Sequence, residues 1–260
     1  MAIDATAGGT DEPALVVPRR FCGPRSSGNG GWSAGALAGL LDPDHGSATT
    51  VTLRQPPPLD TSMPVVADGP GLVASNDAGP VAQAGPAAAE PVRVAPVSAD
   101  EARAAEADYP GLDGHPFPQC FACGTGREPG DGLRIFPGRV SDQDGLVRAA
   151  ATWTPHESVA EDWHEYAGAP RRASLPVTWA ALDCVGAWAA DMTERMMVLG
   201  RMTARINALP VVGEEHVVVG LARGADGRKH HTSSSIYDSR GGLVGVAEHV
   251  WICVDPQVFA

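Results

Sequence analysis

The chain has 260 residues, a formal net charge of −12 at pH 7 and an apolar fraction of 43%. That length holds one large domain or two small ones and can bury a sizeable core. The acidity argues against a nucleic-acid partner, which wants a basic stripe, and against docking to an anionic membrane surface.

The opening MAIDATAGGTDEP lacks the basic start and apolar core of a signal peptide. No apolar run approaches the ~20 residues needed to span a bilayer. Five cysteines (Cys22, Cys120, Cys123, Cys184, Cys253) are an odd count. They fit reduced thiols better than a disulfide framework, so the expected location is the cytoplasm.

In chain order, residues 1–13 are polar and read as loose, and 14–20 read as a short strand. A glycine-rich turn, FCGPRSSGNGG, leads into a short helix at 31–41, which stops at Asp42-Pro43. Gly31, Gly35 and Gly39 fall four apart, so one face of that helix carries no side chains. Something must approach its backbone closely. Strand-like runs follow at 48–54, 62–67, 72–75 and 81–84, separated by Pro, Gly and Asp turns. Composition then shifts to an Ala/Pro/Glu linker, in which Ser98 and Glu101 form a capping-box pattern that predicts a surface helix over 99–109. The expected organisation is an N-terminal unit at 1–85, a linker at 86–112 and a C-terminal unit at 113–260.

The second half repeats the plan at greater length. Strands are predicted at 133–140 and 146–153, a helix at 174–190, then strands at 196–206, 215–222, 229–237 and 243–254. The last is nearly continuous Val, Trp, Ile and Cys, as in a central strand. One helix followed by antiparallel strands, twice over, is an α+β arrangement and not an alternating parallel-sheet fold. The helix SLPVTWAALDCVGAWAA is apolar nearly all round, which predicts burial. Asp183 sits at its centre and shares its face with Trp179, Ala180, Gly186 and Ala187, none of them basic. Burial without a cation raises a carboxyl pKa, and such acids gather at active sites; an Asp satisfied by a distant Arg or by backbone amides is the other reading.

Three competing signals are weaker. Gly31-Trp32-Ser33-Ala34-Gly35 matches the G-x-S-x-G elbow of serine hydrolases, but no strand precedes it and no parallel sheet follows. Cys120 and Cys123 suggest half a zinc site, yet zinc wants a second pair, and Cys184 and Cys253 stand alone in the sequence, so no metal is expected. His230 and His231 fall on opposite faces of a strand and read as solvated, while His156 and His164 flank a polar loop.

Strand, buried helix and antiparallel meander is the plan of the hotdog fold. HPFPQCFACGTGREPGDGLRIFPG (115–138) resembles the opening segment of phenylacetyl-CoA-thioesterase-like hotdog proteins. WAALDCVGAWA (179–189) resembles their central helix, and GRKHHTSSSIYDSRGGLVGVAEHVWI (227–252) their last hairpin. GNGGWSAGALAGLL (28–41) resembles the start of a hotdog helix. The resemblance implies a double hotdog in one chain, with the active site between the helices. It implies an oxyanion hole from backbone amides at one helix N-terminus and an acid from the other helix, about eight residues past a Gly-Gly. Here the first half has Gly30-Gly31 but Gly39 where the acid would stand. The second half has Asp183 but Leu175 where the Gly-Gly would stand. One complete site and one dead pseudo-site follow.

The resemblance thus implies an acyl-CoA or acyl-carrier thioesterase. Asp183 is its nucleophile or general base, Asn29 orients water or carbonyl or simply caps the helix, and Gly30, Gly31 and Trp179 contact the substrate. No cofactor is expected beyond the coenzyme A moiety of a small-molecule acyl thioester. Arg201 and Arg205 are candidates for its phosphates, with surface charge as the default. A non-catalytic thioester-binding protein and a serine hydrolase using Ser33 are the alternatives, and a homo-oligomer of double hotdogs is left open.

Overall fold

The computed structural model describes residues 13–161, 169–255 and 257. The expectations for residues 1–12 and for His164 lie outside them.

The first half comprises β1 (Ala14–Leu15), α1 (Gly30–Leu41), β2 (Thr49–Leu53), β3 (Met63–Asp68), β4 (Gly71–Asn76) and β5 (Gly79–Pro86). A short helix α2 (Ala99–Ala105) leads to the second half: β6 (Gly138–Gln143), β7 (Leu146–Trp153), α3 (Leu175–Ala189), β8 (Met197–Ile206), β9 (His216–Asp226), β10 (Lys229–Tyr237) and β11 (Leu243–Cys253). Among the described residues these strands form one sheet in the order β1-β3-β4-β5-β2-β8-β11-β10-β9-β7-β6. All of the ladders are antiparallel. Read outward from the β2–β8 seam, the halves give the same sequence of neighbours, with β6 as one extra edge strand in the second, so the repeat inferred from the residues is a repeat of topology. The alternation of buried and exposed positions in β3 and β8 supplies each with one core-facing row. The nearly continuous apolar β11 lies between β8 and β10, as its composition predicts.

Helices α1 and α3 pack against each other and against the sheet. Nearly every residue of α3 is buried, Asp183 included, because it is apolar on all faces and covered by sheet on one side and by α1 on the other. Pro176 occupies its first turn, where a missing N–H costs nothing. The glycine stripe of α1 is where α3 comes close. A Cβ at Gly31 would stand 2.6 Å from Asp183 Cβ, and one at Gly35 would stand 2.7 Å from Trp179 Cβ. Buried hydroxyls of β10 hold the other flank, where Ser234 Oγ donates to the Leu182 carbonyl at 2.7 Å.

Some expectations are corrected. The run 14–20 yields only a two-residue strand, because Pro18 starts a 3-10 turn over Arg19–Phe21. No strand covers 133–137: Arg134 takes φ +53°, and Leu133 and Ile135 donate to the carbonyls of Phe121 and Ala122 instead of to a ladder. The helix expected over 99–109 ends at Ala105 and tightens into a 3-10 turn. Ser98 caps it as expected, but Glu101 reaches Ser141 rather than back to the cap. Nor is α2 simply a surface helix, since Ala102 and Ala105 pack with Val94 and Val219 in a second core on the sheet's outer face. His230 is buried and His231 exposed, so only one of the pair is solvated. The residues between β5 and α2 are pinned, with the Val94 amide donating to Ser235 Oγ at 3.0 Å.

Candidate active site

The site forms where the N-terminus of α1 meets the middle of α3. The first-turn amides of a helix lack intrahelical partners and carry the positive end of its dipole. Here they meet the one buried carboxylate of α3. Gly31 N–H donates to Asp183 Oδ2 at 2.9 Å, and Asn29 Nδ2 donates to the same oxygen at 3.0 Å. Asn29 is the helix cap, since its Oδ1 accepts from the Trp32 N–H at 2.8 Å, and its Nδ2 is turned to the acid. The other Asp183 oxygen, Oδ1, is buried and has no hydrogen-bond partner. Burial pushes the carboxyl up to about 7; the Gly31 N–H opposes this most, the neighbouring Cys120 adds to the rise, and the Asn29 amide opposes it.

A cavity of ≈ 220 Å³ opens at this junction. Asn29, Gly30, Phe117, Asp183, Leu199 and Trp251 are among its walls, and Arg54 stands on its lining. Gly31 and Trp179 are not on that lining. Gly31 turns its N–H to the acid, while Trp179 packs against Gly35 between the helices. Ser33 is wholly buried, and its Oγ donates to the Asn29 carbonyl at 2.8 Å. Arg201 donates to Thr52 Oγ1, and Arg205 pairs with Glu90 across an exposed surface. At the opposite end of the helix pair, Gly39 faces the Leu175 side chain. The space there, lined by Ala38, Leu175 and Trp179, is ≈ 10 Å³.

Sequence reasoning missed the thiols. Cys184 does not stand alone: its Sγ lies 3.9 Å from that of Cys120, and Cys123 completes a buried trio on the cavity wall. Its place directly after Asp183, on the face of α3 turned to the 117–124 turn, was the available signal.

No protein-family model matches the chain, and no curated protein matches it. Solved structures do resemble it. One is a conserved protein of unknown function with a hot dog fold from Alicyclobacillus acidocaldarius, 12% identical, with a TM-score of 0.54 over 92% of each chain. Another is a putative thioesterase II from Thermobifida fusca YX, 12% identical, with a TM-score of 0.53 over 94% of this chain and 96% of that one. A third is the tesB protein of Mycobacterium avium subs paratuberculosis, 11% identical, with a TM-score of 0.51 over 88% of each. At such identity the likeness speaks for the fold. Nearly full mutual coverage, together with one strand order used twice, makes this chain a double hotdog.

Proposed function

We propose that the protein hydrolyses a small-molecule acyl thioester, an acyl-CoA or acyl-carrier substrate, at the single junction of α1 and α3. The observation that carries this reading is Asp183: a buried acid held at one oxygen by Gly31 and Asn29, with its other oxygen unpaired and its pKa about 7. An acid so poised accepts and returns a proton near neutral pH. As general base it takes the proton of a water that adds to the thioester carbonyl; the C–S bond then breaks, and the thiolate leaves with that proton. As nucleophile its carboxylate attacks the carbonyl, expels the thiolate and forms an anhydride that water cleaves. The Gly31 N–H is spent on the acid, so the oxyanion donor is assigned to Gly30, whose backbone lines the cavity. Arg54 at the lining suits the phosphates of coenzyme A. The chemistry asks for no cofactor beyond the thioester's own pantetheine.

A panel of acyl-CoAs assayed for thiol release tests this, with heat stability measured in parallel. Turnover of at least one member, lost in Asp183→Asn, is the expected result. Stabilisation to heat by an acyl-CoA without any turnover would favour the binding protein instead. Labelling by a fluorophosphonate, abolished in Ser33→Ala, would favour the serine hydrolase.

A further inference from the structure

Beside the acid, three cysteines from two distant stretches converge. Cys120 and Cys123 lie on the turn CFACG, and Cys184 lies on α3. All three are buried, and their sulfurs lie within 4.8 Å of one another. A tetrahedral ion with metal–sulfur bonds of ~2.3 Å sets its sulfurs ~3.8 Å apart. The Cys120–Cys184 separation of 3.9 Å is already of that size.

Asn29 Nδ2 lies 3.8 Å from the Cys120 sulfur. The Trp188 indole N–H is buried there without a hydrogen-bond partner. The turn itself is closed by the Gly124 N–H donating to the Cys120 carbonyl at 2.9 Å. A side chain at Gly124 would collide with backbone oxygens of Pro118 and Cys120, each 2.5 Å from its Cβ. Only glycine permits this knuckle. A closed turn that presents two thiols to a third, with an amide donor beside one sulfur, is the support a metal–thiolate centre needs.

We infer that Cys120, Cys123 and Cys184 form a binding site for a Zn²⁺ ion. Thiolates select soft or borderline ions, and a d¹⁰ ion accepts three of them with one further position. His115 is a poor fourth ligand. Its Nε2 is 3.3 Å from Cys123 Sγ, but its Nδ1 accepts the Phe117 N–H at 2.9 Å, which leaves the ring proton on Nε2. All three cysteines line the cavity, so the fourth position falls to water from that side. The ion would clamp the 117–124 turn to α3 next to Asp183.

The test is titration of the full-length reduced protein with Co²⁺. The expected result is a near-ultraviolet thiolate-to-metal band and tetrahedral visible bands, saturating at one Co²⁺ per chain and displaced by one equivalent of Zn²⁺. Cys184→Ser and Cys123→Ser, checked for folding by circular dichroism, should lose the band; Cys253→Ser should keep it. Asp183→Asn should also keep it, so the site stands whether or not the protein proves to be a hydrolase. Absence of the band in the folded wild type would overturn the inference. So would its persistence in folded Cys184→Ser, or a Cys120–Cys184 disulfide in freshly isolated protein without metal.

Discussion

Asp183 costs the fold something at neutral pH. Its carboxyl titrates near 3.8 when free and at about 7 when buried. Below pH ~4 it is protonated in both states and neutral to stability. Between ~4 and ~7 the unfolded chain releases this proton first, so stability falls as pH rises, and above ~7 the penalty is constant. At ~1.4 kcal/mol per pH unit the penalty is of the order of a few kcal/mol. Asp183→Asn should therefore melt several degrees above the wild type at pH 8, with the gap closing towards pH 4; scanning calorimetry at the two pH values checks it. Asn29→Ala removes a donor from Oδ2 and the cap of α1. It should lower stability by ~1 kcal/mol in denaturant titrations and move the acid's apparent pKa further up.

The glycines of α1 rank by what stands opposite. At Gly31 and Gly35 a methyl meets α3 side chains and backbone below 3 Å, whereas at Gly39 it meets only the tip of Leu175 at 3.3 Å. Gly31→Ala and Gly35→Ala should cost about 1–3 kcal/mol each by overpacking. Gly39→Ala should be close to neutral, since a flexible side chain gives way; thermal melts of the three variants test the order. The four-residue spacing made the bare face legible in the sequence, but not its occupant. Likewise the apolar wrap of α3 announced burial, and the lone Asp183 announced a site. What stayed illegible depended on contacts far along the chain. Residues 133–137 look like a strand until Phe121 and Ala122 take their amides. Cys184 looks solitary until the 117–124 turn folds onto it.

Across the whole molecule, the halves share more than a site. β2 pairs with β8, and α1 packs along α3. The division at 86–112 is therefore proposed as a covalent tether between two units that associate without it. A protease site introduced at 87–89 and cut should leave one particle on size exclusion and two bands on a denaturing gel. Separation into two species would contradict a shared core. Among the described residues no helix is long and apolar enough to cross a membrane. The pH dependence of kcat/KM, on whichever acyl-CoA is turned over fastest, reaches furthest into the account. It should rise with pH through an apparent pKa near 7, and that dependence should vanish with the activity in Asp183→Asn. A profile flat from pH 5 to 9, or undiminished turnover by Asp183→Asn, would contradict it.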